Sequence, residues 1–137
     1  MAQFKTTTRV RFREVDSGGI LFFANIFRLA HDAYEQFIDH LGYSYEDWFA
    51  NNDFAFPIRH CEADYTQPLF PGRDYEISVQ IDKIGTTSFV TRYIFTYDKK
   101  VVNQVKIAHT YFNIRAKTKA SLPLSIRERL EAYQRQS

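Results

Sequence analysis

Across Asp16-Ser17-Gly18-Gly19-Ile20-Leu21-Phe22-Phe23-Ala24-Asn25 the chain changes its period. Before this stretch, Phe4 to Phe12 alternate Thr and Arg with Phe and Val, which predicts a strand. After it, apolar residues recur at helical spacing. Between the two lie an acidic side chain and a pair of glycines. A free carboxylate beside the unpaired N–H groups of a helix start is a place where a carbonyl can be both attacked and polarised.

Working outward, Phe23, Ile26, Phe27, Ala30, Tyr34, Phe37, Ile38 and Leu41 form one side of a long predicted helix. Arg28, Asp32, Glu35, Gln36 and Asp39 fill the other side, and Gly42 is placed to stop it. The apolar side is wide and rich in large rings, as in a helix wrapped by a sheet. Ser44 begins a short second helix through Trp48 and Phe49, with Asp47 as an acidic capping partner. From Phe56 the period is two. Strands are predicted over Pro57 to Tyr65, from Tyr75 past Ile81, over Phe89 to Tyr97 and over Val101 to Ile114. A closing helix, about 125–134, follows Pro123. The order predicts an α+β fold, a strongly bent antiparallel sheet around one central helix. No repeat or linker divides residues 1–137, so one domain is expected.

Composition is that of an ordinary globular protein, with 45% hydrophobic and 25% charged residues. The 17% aromatic content, from 13 Phe and 9 Tyr with one Trp, fits a bulky core, an interface or an aromatic-lined pocket. Cys61 stands alone, which excludes an intramolecular disulfide and a cysteine metal cluster. No run has transmembrane length and no signal segment opens the chain, so a cytoplasmic protein with no membrane association is expected. Residues 1–68 hold six basic against ten acidic side chains, a balance of −4, and residues 69–137 hold twelve against six, a balance of +6. A basic half suits a phosphorylated small molecule or plain solvated charge. No nucleic-acid-binding signature accompanies it.

The element order, with Asp16 and Gly19 between the first strand and the helix, resembles the hotdog-fold acyl-CoA thioesterases of the 4-hydroxybenzoyl-CoA thioesterase type. The passages that carry the resemblance are Val10-Arg11-Phe12-Arg13-Glu14-Val15-Asp16, Gly19 to Asn25, Asp64-Tyr65 and the long final strands. Phe22-Phe23, His31-Asp32-Ala33-Tyr34-Glu35 and Asp53 to His60 are similar to the branch that hydrolyses 1,4-dihydroxy-2-naphthoyl-CoA. Relatives of the Tol-Pal branch, and many short-chain enzymes, place His where this chain has Phe23; an aromatic-lined acyl pocket is implied here.

The resemblance implies hydrolysis of an aromatic acyl-CoA thioester. Asp16 is the expected catalytic carboxylate, either as a nucleophile forming a mixed anhydride or as the base that activates water. A loop or capping aspartate is the plain alternative. The Phe23 N–H is implied as the oxyanion donor, with Gly19 bending the loop so that the carbonyl reaches it. Phe22 is expected to shape the acyl pocket, and Glu35 to lie near it or to be half of a solvated pair with His31. Arg115 and Lys117 match positions that hold coenzyme A phosphates in relatives, and Thr87-Ser88 match contacts to the pantetheine arm. Either could be an ordinary basic or polar rim. His60 and His109, lone strand histidines, are expected to be structural. No cofactor and no metal are implied, and a homodimer or homotetramer is expected. Two alternatives remain: a thioesterase for aliphatic or polyketide esters on CoA or acyl carrier protein, and a non-catalytic acyl-CoA-binding module.

Overall fold

A computed structural model describes residues 2–135. Strand β1 (Phe4–Arg9) is shorter than its alternation predicts, because Val10 leaves the sheet to be buried and its N–H donates to the Arg73 carbonyl at 3.2 Å. Phe12, expected as the last residue of the strand, instead opens a 3-10 turn over Phe12–Glu14. Helix α1 (Asn25–His40) ends at Gly42, whose φ of +99° is open to glycine with no Cβ strain. Its inner face is Ile26, Leu29, Ala30, Ala33, Tyr34, Phe37 and Ile38, all buried. Phe23, expected on that face, lies before the helix and is 63% exposed. Burying a ring such as Phe37 stabilises the fold by about 2–3 kcal/mol.

Helix α2 (Tyr45–Phe49) is capped by Ser44, whose hydroxyl accepts the Asp47 N–H at 3.1 Å. The remaining elements are β2 (Phe54–Ala55), β3 (Ile58–Tyr65), β4 (Asp74–Ile84), β5 (Ser88–Tyr97), β6 (Lys100–Thr110), β7 (Phe112–Asn113), β8 (Thr118–Lys119) and α3 (Leu124–Glu131). The long last strand predicted by alternation is broken after Thr110 into β6 and β7. The five long strands form one antiparallel sheet in the order β1-β4-β5-β6-β3, and β2-β7-β8 form a small second sheet. Register shifts between Ile81 and Lys83 and between Phe95 and Thr96 bend the long strands, which helps the sheet curve over α1. This is the expected hotdog architecture.

The odd-numbered residues from Tyr75 to Ile81 in β4 and from Phe89 to Phe95 in β5 turn inward onto the core with Asn103, Val105, Ile107 and His109 of β6. β3 is the exception. Cys61, Ala63 and Tyr65 sit opposite Ile107, Val105 and Asn103, on the same inward side, yet Cys61 and Tyr65 are exposed. The outer edge of β3 is also unpaired among the described strands.

Candidate active site

Two cavities flank the ends of β3. The first, about 340 Å³, is lined by Asp16, Leu21, Phe22, Phe23, Tyr65 and the 66–69 segment. Asp16 is exposed on a tight turn: its N–H donates to the Ile20 carbonyl at 3.0 Å, and its own carbonyl accepts from Gly19 at 3.0 Å. Gly19 has φ of +79°, which lets the chain reverse there. One carboxylate oxygen accepts the Gly18 N–H at 2.8 Å. The other oxygen has no partner among the described residues, so the acid is not closed in a local ring.

Facing the same cavity is the entry to α1. The amides of Phe23 and Ala24 donate to no acceptor among the described residues, whereas Phe22 donates to the Glu14 carbonyl at 2.9 Å. Two free N–H groups beside a helix start concentrate positive potential where a carbonyl oxygen gains charge. The Tyr65 hydroxyl donates to the Phe23 carbonyl and holds the peptide that bears the Ala24 N–H. The peptide that bears the Phe23 N–H is held through the Phe22 carbonyl, which accepts from the Asn25 N–H at 2.9 Å. Partial burial raises the Tyr65 pKa above the usual tyrosine value, which keeps that hydroxyl a donor.

The support for this loop is a residue that sequence reasoning passed over. Glu14 is 4% exposed; its carboxylate accepts the Arg11 N–H at 2.7 Å and pairs with Arg28. Its carbonyl takes both the Phe22 N–H and the Asn25 side-chain amide, the latter at 2.9 Å. Glu14 therefore ties the Asp16 turn to the first turns of α1. The available signal was Glu14 and Arg28, opposite charges flanking the glycine loop, but only the fold brings them together.

The second cavity, about 610 Å³, is lined by rings: Tyr34, Trp48, Phe49, Phe56, Phe112 and the histidines His31 and His109 among them. Trp48 is buried, as core packing requires, and donates Nε1–H to the Tyr34 hydroxyl at 2.8 Å. Burial holds the Tyr34 pKa well above the usual tyrosine value. His31 pairs with Glu35 at 3.2 Å one helical turn away. Glu35 itself lines neither of these cavities; it borders a shallow acidic groove with Phe4, Gln36, Asp39 and His40.

Thr87 and Ser88 lie beside this second cavity, since Ser88 pairs with Thr110 at the end of β6 and the Thr87 carbonyl accepts from Tyr111 at 2.8 Å. Arg115 and Lys117 lie in the turn between β7 and β8, where Arg115 Nε donates to the Asp53 carboxylate at 3.0 Å. One chain thus brings Asp16, Gly19, Phe22 and Phe23 together, and places Thr87, Ser88, Arg115 and Lys117 at the far end of the sheet. Along β3 that separation is roughly 23 Å.

A bent antiparallel sheet around one helix is the hotdog architecture, and in it a loop carboxylate and free helix-entry amides border one cavity. The chain belongs to the Thioesterase-like superfamily, whose family model matches residues 10–130. It is 33% identical over 132 residues to the 1,4-dihydroxy-2-naphthoyl-CoA hydrolase of Nostoc punctiforme, covering 96% of this chain and 89% of that one. It is also 33% identical over 124 residues to the hydrolase of that name from Prochlorococcus marinus strain NATL2A, covering 85% and 80%. A solved 1,4-dihydroxy-2-naphthoyl-CoA thioesterase from Synechocystis shares the fold, with a TM-score of 0.85, 20% identity and coverage of 94% and 96%. Among the described residues no helix is long and apolar enough to cross a membrane.

Proposed function

We propose that this protein hydrolyses an aromatic acyl-CoA thioester, with 1,4-dihydroxy-2-naphthoyl-CoA the first substrate to test. The observation that carries the reading is the shared cavity of the Asp16 carboxylate and the free Phe23 amide, backed by the names of the relatives. In this reading the thioester oxygen sits on the Phe23 N–H. Asp16 either draws a proton from a water that attacks the carbonyl carbon, or attacks that carbon itself to give a mixed anhydride that water then hydrolyses. On both routes the coenzyme A thiolate leaves and the free acid is released. Losing such an oxyanion donor costs about 3–4 kcal/mol of transition-state stabilisation. No cofactor or metal takes part.

The site is completed by a second copy of the chain. β3 offers an open edge and an uncovered inward side, and two such edges paired antiparallel about a two-fold axis near the strand centre satisfy both. That pairing sets the Tyr65 end of one copy beside the Ile58 end of the other. The Asp16 cavity of one protomer then adjoins the aromatic cavity of its partner, together with the basic turn that would hold the coenzyme A phosphates. We read the protein as a cytoplasmic homodimer, or a tetramer of two dimers.

Turnover of benzoyl-, naphthoyl-, 1,4-dihydroxy-2-naphthoyl- and hexanoyl-CoA tests the assignment, with Asp16→Asn alongside. The aryl esters lead, and Asp16→Asn lowers kcat by roughly 10²–10⁴-fold while a non-hydrolysable analogue binds as before. A hundredfold preference for the hexanoyl ester would end the aromatic assignment; full activity in the variant would end the role of Asp16.

A further inference from the structure

Four of the side chains that line the aromatic cavity carry a polar atom, and three of them are closed to a ligand. Trp48 and Tyr34 are buried and engaged with one another, the indole N–H donating to the Tyr34 hydroxyl at 2.8 Å. His109 is buried too, stacked between Tyr34 and Phe89 with its imidazole turned to the Phe56 backbone. Burial, opposed by that backbone contact, pushes the His109 pKa down to about 3. His31 is the exception. Its side chain is 38% exposed, and its ring lies against Tyr34 and Phe49, with centroids 5.4 and 6.3 Å away. Its Nδ1 is 3.2 Å from the Glu35 carboxylate, one helical turn along α1. Its Nε2 has no hydrogen-bond partner among the described residues, and it is not a buried atom. Glu35 lines neither cavity, so any effect it has there passes through His31.

We propose that His31 Nε2 hydrogen-bonds a hydroxyl on the aromatic ring of the acyl group, with Glu35 as the positioning residue that turns this nitrogen to the ligand. This rests on the reading above, in which the partner's aromatic cavity receives the ring. A carboxylate can only accept, so in the neutral imidazole Nδ1–H donates to Glu35 and Nε2 keeps its lone pair. That lone pair is matched to a phenolic O–H. Two rings against the imidazole and an ion-pair partner on its far nitrogen restrict how it turns, as the partners of a working histidine do. The apolar walls take the hydrocarbon, and the cavity volume lies in the range of small-molecule sites. A ring without the hydroxyl displaces water from Nε2 and puts nothing in its place, which is how polar groups in a pocket reject analogues. Because His31 is only part-buried, the penalty falls at the low end for such groups. In a 1,4-dihydroxy-2-naphthoyl ester the 1-hydroxyl can bond the adjacent carbonyl internally, so the distal 4-hydroxyl is the group assigned to His31.

The test compares kcat/KM for 1,4-dihydroxy-2-naphthoyl-CoA and 1-hydroxy-2-naphthoyl-CoA in the wild type, in His31→Phe, which keeps a ring against Tyr34 and Phe49, and in Glu35→Ala. The wild type favours the dihydroxy ester by roughly tenfold. In His31→Phe that preference falls to near unity, with the monohydroxy ester hydrolysed about as well as before. In Glu35→Ala the preference shrinks while KM for the monohydroxy ester stays put, a split that a merely structural role would not produce. Equal slowing of both esters, or a preference that survives His31→Phe, overturns the proposal; one that Glu35→Ala leaves intact removes Glu35 from it. A second measurement needs neither turnover nor a variant: the ¹⁵N shift of His31 Nε2 in the wild-type protein as the two free acids are titrated in. His60, which lines neither cavity, is the control. A response at His31 to the dihydroxy acid alone supports the assignment, and no response or equal responses overturn it. If the wild type hydrolyses none of these esters, the hydrolase reading fails, while the ¹⁵N titration still decides the role of His31.

Discussion

The two cavities are built in opposite ways. The Asp16 cavity is made of loop and helix-entry backbone, and the groups proposed for chemistry there are exposed or unpaired. The second cavity is walled by rings that also belong to the hydrophobic core, such as Tyr34 and Trp48. A loop can present a carboxylate and bare amides without burying them unsatisfied; packed rings cannot, but they hold a shape. The candidate reactive groups thus sit in an exposed loop, while the shape of the second cavity is set by the core. Each part can be disturbed without the other.

Glu14 gives the sharpest way to break that separation. Glu14→Ala removes the carboxylate that holds Arg11 N–H and Arg28, with an expected loss of about 1–3 kcal/mol in urea unfolding. The slackened turn should lower kcat about tenfold or more, while binding of a free hydroxynaphthoate to the aromatic cavity stays as in the wild type. If ligand binding falls in parallel with kcat, the two regions are one cooperative unit and the separation is wrong.

Acid should act on the aromatic region instead. His109 titrates near 3 in the fold but near its ordinary 6.5 when unfolded, so between those values the unfolded chain binds the extra proton. Its contribution to stability is therefore complete above pH 6.5 and declines as pH falls toward 3, by up to about 1.4 kcal/mol per pH unit. Urea midpoints at pH 7, 6 and 5 should fall more steeply for the wild type than for His109→Phe. Parallel curves would mean that the ring is protonated as easily inside as outside.

The smallest effect concerns the basic turn. Arg115 is tied to Asp53, both well exposed, so the pair adds no more than about 1 kcal/mol. Asp53→Asn frees the guanidinium, and KM for a CoA ester should drop a few-fold with Tm nearly unchanged. A KM that is unmoved would remove Arg115 from the phosphate contacts.

How much of this was legible beforehand varies with the range of the interaction. The amphipathic α1 and the alternation of β4 and β5 were plain, because each depends on residues a few positions apart. The end of β1 at Arg9 was not, since Val10 leaves the sheet for a contact with Arg73, far along the chain. His60 and His109 look alike as lone histidines in strands. Strand register alone turns His109, opposite Phe89, into the core, and leaves His60, opposite Ala108, exposed. Glu14 read as one more acidic residue until Arg28, a helix turn into α1, proved to meet it.

What the amino-acid order determined by itself was the switch at Asp16–Asn25: a carboxylate, a glycine turn and a helix start, all set by local spacing and backbone preference. The tertiary structure decided which amides stay unpaired, which carboxylate is buried to brace them, and that the basic turn and Ser88 lie a strand's length from Asp16. Those outcomes depend on sheet register and on the edge left open at β3, and both arise from contacts between residues distant in the chain.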